Sequence, residues 1–148
     1  VEQRKRETTK NQMVTSSLLE AEKRLLGLIS QSKKLYKMSS AHIKAEEFAT
    51  DVYRRLAKSM YDSYENGMSP DPAMMLNDFS GDDLSEASEV FYNLEVYSGD
   101  EETVKELLYT IKLEKLNMRI NAEADPTNLM DLFKQREELL NEKNTWEE

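Results

Sequence analysis

Apolar residues recur at helical spacing along most of this chain. Leu18, Ala21, Leu25, Leu28, Ser32 and Leu35 form one stripe, widened by Leu26, Ile29 and Tyr36. They predict a first helix that Ser16 or Ser17 can cap through its hydroxyl. Gly27 lies inside it and marks a close helix contact, whereas Glu22, Lys23, Lys33 and Lys34 fall largely off the stripe. After a connection at Ser39 to Lys44, Phe48, Ala49, Val52, Tyr53, Leu56, Met60 and Tyr64 give a second long helix over Glu46 to Asn66, stopped at Gly67. Asp71-Pro72 then starts a short helix, Ala73 to Phe79. Beyond a break at Ser80-Gly81-Asp82, Leu84, Ala87, Val90, Phe91, Leu94 and Tyr97 predict a fourth helix that Ser98-Gly99 ends.

The last third organises the rest. Asp100 caps a long helix whose apolar face changes partway along. Val104, Leu107, Leu108 and Ile111 follow one side, and Leu113, Leu116 and Ile120 another. Ile111 and Leu113 point about 200° apart on a helix of about 3.6 residues per turn. A break at Ala124-Asp125-Pro126 starts a returning helix whose inward face is read as Leu129, Leu132, Phe133, Arg136, Leu139 and Leu140. The expected architecture is all-α: a helical bundle, then a long helix and a C-terminal helical hairpin. Residues 1–15 are read as a linker, 16–112 as the bundle and 113–148 as the hairpin.

Composition agrees with helix, because Gly and Pro number only four and three among 148 residues. No apolar run is long enough to span a bilayer, no signal peptide is visible, and cysteine is absent. These features point to a cytoplasmic protein, and Val1 to a fragment of a longer chain. The net charge of −9 is uneven: residues 1–40 hold nine Lys/Arg against four Asp/Glu, and residues 41–100 hold four against thirteen. An acidic body disfavours nucleic acid and favours partners with basic surfaces. The basic Arg4-Lys5-Arg6 cluster reads as part of a solvated linker.

No catalytic constellation can be assembled. His42, the one histidine, has no nucleophile or carboxylate at a motif spacing. The pairs Glu46-Glu47, Asp82-Asp83, Glu101-Glu102 and Glu137-Glu138 are adjacent on helices and so diverge by about 100°. Asn77 to Asp82 carries a faint calcium-loop pattern without the alternating ligands or the closing Glu. No catalytic, cofactor-binding or metal-binding residue is therefore expected.

In order, AEKRLLGLIS, EEFATDVYRRLAKSMYDSYENG, a short helix, LLYTIKLEKLNMRI and LMDLFKQREELLNEK resemble the C-terminal helicase-interaction domain of the bacterial replicative DNA primase (the DnaG type). The resemblance covers about residues 16–145. It implies a non-catalytic module, monomeric alone, that docks the primer-synthesising enzyme on the amino-terminal domains of the hexameric replicative helicase. It places zinc and a divalent metal only in parent-chain domains missing here. The amino-terminal domain of that helicase, a self-assembly and docking module, has a similar fold. It also has an Ala-Glu-x-x-x-Leu-Gly phrase, which Ala21 to Gly27 fits equally well. The last helix, ending near Glu148 with no run into an ATPase domain, favours the primase. An unrelated all-α interaction domain or small enzyme is the remaining class.

On the primase reading the hairpin from Leu113 to Trp146 grips the helicase. The residues expected to face the partner are Met118, Asn121, Met130 and Glu137, which the apolar stripes leave wholly or partly free, and Trp146 near the end. Trp146 either staples the hairpin or meets the partner. Phe133 is expected between the two hairpin helices.

Overall fold

A computed structural model describes residues 14–92 and 100–146, with side chains described as far as residue 142. The described residues form seven α-helices and one short 3-10 turn, with no strand. The helices are α1 (Ser16–Gln31), α2 (Lys33–Ser40), α3 (Asp51–Glu65), α4 (Pro72–Leu76), α5 (Gly81–Tyr92), α6 (Glu101–Ala122) and α7 (Pro126–Trp146). The all-α bundle with C-terminal helices is as the hydrophobic pattern predicts.

Helix α1 runs through the middle of the bundle and touches α2, α3, α5 and α6. It can do so because apolar side chains surround much of it: Leu18, Ala21, Leu25, Leu26, Leu28 and Ile29 are all buried. Val52, Leu56, Ala57 and Met60 of α3, Ala87 and Val90 of α5, and Val104, Leu107, Leu108 and Ile111 of α6 complete the core. Short polar caps set the starts. Thr15 accepts a hydrogen bond from the Leu18 N–H at 3.0 Å. Asp71, Asp100 and Asp125 accept from the N–H groups of Ala73, Thr103 and Thr127. Each satisfies a donor that the first helical turn would leave unpaired.

Several boundaries differ from the sequence-based expectation: Thr15 caps α1 in place of Ser16 or Ser17, and α4 ends at Leu76, short of Phe79. The first helix is two, because Ser32 is extended (φ −149°, ψ 121°) and caps α2 by accepting from the Leu35 N–H at 3.2 Å. The break is supported from outside. The buried Tyr64 hydroxyl donates to the Ile29 carbonyl at 2.6 Å, a second donor beside the Ser32 N–H at 3.3 Å where α1 ends. The expected start of α3 at Glu46 is likewise a 3-10 turn, Ala45–Glu47, followed by an extended link to the cap Thr50. At its other end α3 stops as expected, with Gly67 at φ 76°. Leu94 and Tyr97, assigned to the fourth helix from sequence, lie outside the described residues, as does the Arg4-Lys5-Arg6 cluster.

Helices α6 and α7 pack antiparallel. Ile111 is the last fully buried residue of α6; Leu113, Leu116, Met118 and Ile120 beyond it are half-buried. The return helix reaches back far enough that Gln135, Glu138, Leu139 and Glu142 face Lys112, Lys115, Leu116 and the His42–Glu47 turn across an open groove of about 330 Å³. The hairpin thus joins the bundle through α6 and meets it again near the end of α7.

Candidate protein-interaction site

Helix α7 has two apolar faces. Leu132 and Leu139, seven residues apart, are buried: Leu132 lies by Arg119 and Ala122 near the end of α6, and Leu139 by Leu116 and the His42–Glu47 turn. Met130, Phe133 and Leu140, spaced by three and seven, point outward and are 72%, 43% and 50% exposed. Glu137 completes the outward stripe and is exposed too. The expectation that Phe133 lies between the hairpin helices is therefore corrected, and Leu140 leaves the inward face with it. Adjacent residues diverge by about 100°, so the members of the pairs 132/133 and 139/140 point different ways, and only Leu132 and Leu139 are covered here.

The outward face is braced, not loose. Arg136 donates to the Asn117 side-chain oxygen of α6 at 2.8 Å. Its guanidinium also lies 5.3 Å from the centre of the Phe133 ring, within the range of a cation–π contact. Asn117 shares a face of α6 with Leu113 and Ile120, at spacings of four and three, both half-buried.

Of the residues expected to meet a partner, Met130 and Glu137 share this outward stripe. Asn121 is exposed at the end of α6 near the hairpin bend. Met118 is only half-buried, and it packs on the bundle core. The side chain of Trp146 lies outside the described residues.

Charged groups tie the hairpin to the bundle. Lys112 stands 3.1 Å from Nδ1 of His42. Burial first, then Lys112, lower the pKa of His42. Lys115 donates to the Glu47 carbonyl and stands 3.9 Å from Oε2 of Glu22. Glu22 itself is fully buried. Its Oε1 accepts from the Ala49 N–H at 2.9 Å, holding the extended link before α3, and Arg54 donates to the neighbouring Phe48 carbonyl at 3.0 Å. Burial raises the pKa of Glu22 to about 7, against the opposing effects of the Ala49 hydrogen bond, Lys115 and Arg54.

The sequence reading set Glu22 off the apolar stripe; the structure puts it at its centre. The signal was present, since Glu22 follows Leu18 by four and precedes Leu25 by three. The charge of its side chain hid it. Elsewhere, the faint calcium-loop stretch is a docking point for Arg55. This arginine donates to the Asp78 carbonyl at 2.8 Å, lies 4.3 Å from the Phe79 ring centre and approaches Asp83 at 3.8 Å. Among the described residues no three His, Asp or Glu side chains converge as a metal site, and no helix is long and apolar enough to cross a membrane.

No curated protein and no solved structure matches the chain. A family model does: that of the DnaB-like helicase N-terminal domain, over residues 14–115. This match overturns the primase resemblance, and with it the primer-synthesising parent chain and the assignment of the helicase as docking partner. The feature used to choose the primase over the helicase domain was where the last helix ends, which carries no information about family. The phrase from Ala21 to Gly27 lies in α1, the central helix of the bundle and the first of the matched region, and its Glu22 pins the link that leads into α3. With 102 of 148 residues under that model, the chain belongs to the DnaB-like helicase N-terminal domain family.

Proposed function

We propose that this chain is the amino-terminal assembly and docking module of a replicative DNA helicase, acting in the cytoplasm by holding proteins together and not by catalysis. The family match over residues 14–115 carries this reading. The outward stripe of α7, beyond the matched residues, is consistent with it: Met130, Phe133 and Leu140 line apolar surface along one face of a braced helix, the kind of grouping that marks protein-interaction sites. The occupant proposed is a second copy of the same stripe. Helicase ATPase chemistry would belong to another part of such a protein. A primase would be a partner of this module and not its parent.

Sedimentation velocity over a range of concentrations tests the assignment. The chain is expected to self-associate reversibly, and Phe133→Asp or Leu140→Asp to leave it folded and monomeric. A wild-type chain that stays monomeric throughout would remove the self-assembly role and leave the stripe to a different protein.

A further inference from the structure

We propose that Glu22 is a charge-state latch joining the bundle to the second half of α6, gripping Lys115 when ionised and releasing it when protonated. The proposal rests on the geometry of the fold and not on the helicase assignment. Glu22 stands where three elements meet. It is carried by α1, its Oε1 holds the Ala49 N–H, and its Oε2 has no hydrogen-bond partner although no water can reach it. The nearest cation is Lys115 of α6, at 3.9 Å. Lys115 lies four residues beyond Ile111, where α6 leaves the fully buried core for the hairpin.

The other groups facing Glu22 are few. Helix α3 contributes Arg54, which is anchored on the Phe48 carbonyl, and Tyr53, whose phenol burial and surrounding carboxylates keep protonated. On α1 itself Glu20 is paired with Lys23 at 3.1 Å. Neither Arg54 nor Tyr53 joins the hairpin, so Lys115 is the arm through which the charge of Glu22 reaches α6. Lys115 has a second acceptor, the Glu47 carbonyl, and is partly exposed. Because it is partly exposed, Lys115 can leave a neutral Glu22, and the Glu47 carbonyl with it, for water without being stranded in an apolar site.

Linkage sets the direction. Burial holds the pKa of Glu22 near 7, and Lys115 lowers it from what burial alone would give. An opening that carries Lys115 away while Glu22 stays buried must then raise the proton affinity of Glu22. Such openings take up a proton and become more frequent as pH falls through neutrality. An opening that floods Glu22 with water has the opposite dependence.

Hydrogen exchange of the full chain, expressed as protection factors corrected for intrinsic exchange, distinguishes these cases. Amides of residues 112–122 are expected to be about fivefold less protected near pH 6 than near pH 8, with α1 and α3 protection not reduced. Lys115→Met should show the lower protection at both pH values, and Glu22→Gln should lose the pH dependence. Greater protection at the lower pH, or an unaltered pH dependence in Lys115→Met, would overturn the latch. If Glu22→Gln does not fold, carbon-13 NMR titration of the Glu22 carboxyl decides. Its midpoint should move upward in Lys115→Met, and an unmoved midpoint would overturn the proposal.

Discussion

The carboxylate of Glu22 and the backbone N–H of Ala49 are joined at 2.9 Å, with Glu22 wholly out of contact with solvent. This single bond holds the extended link before α3 against the central helix. Its acceptor is also a group whose ionised form is disfavoured where it stands.

Stability should therefore depend on pH in a stated sense. Burial raises the Glu22 pKa from 4.5 to about 7. The folded chain binds this proton more tightly than the unfolded one, so the contribution is fully present below pH 4.5 and is lost as pH rises through about 7. The loss should be about 3 kcal/mol. Urea unfolding at a series of pH values is expected to show it in the wild type. In Glu22→Gln, this part of the slope should disappear.

The two faces of α7 should respond oppositely to truncation. Leu132→Ala or Leu139→Ala empties a buried site and should cost about 2–5 kcal/mol. Phe133→Ala, at a residue 43% exposed, should cost about 1 kcal/mol or less. Thermal unfolding of the three variants checks the ranking, and a Phe133→Ala cost equal to that of Leu132→Ala would place Phe133 back in the core.

The break between α1 and α2 should depend on Tyr64. Tyr64→Phe leaves the Ile29 carbonyl without its 2.6 Å donor in a buried setting. The carbonyl keeps the Ser32 N–H at 3.3 Å, so a cost of about 0.5–1.5 kcal/mol is expected from equilibrium denaturation, with little change in helix content by circular dichroism.

We also propose that the bundle is an autonomous folding unit. Its core of Leu25, Val52, Leu56, Val90, Val104 and Leu108 is formed without α7. Residues 14–112 alone should unfold cooperatively, though less stably than the whole chain, because Leu139 and the rest of the groove wall would no longer shield Ile43, Leu108 and Ile111. A fragment without a cooperative thermal transition would show that the hairpin is needed for the fold.

Local chemistry determined much of this protein in advance. Helical spacing placed Leu18, Leu25, Val52, Leu56, Ala87, Val90, Val104, Leu107, Leu108 and Ile111 in the core, and Asp71, Asp100, Asp125 and Gly67 marked element ends. These effects act within a few residues of each other, so one sequence displays them. Long-range partners decided the rest. Ser32 breaks a continuous helical stripe where Tyr64, from another helix, meets the Ile29 carbonyl. Glu22 can be buried because Ala49, Arg54 and Lys115 converge on it from later parts of the chain. Phe133 and Leu132 are equally apolar, and only the position of α6 determines which one is covered. Helical periodicity is silent on family for a similar reason: spacing reports which face of a helix is buried, and not which protein it is buried in.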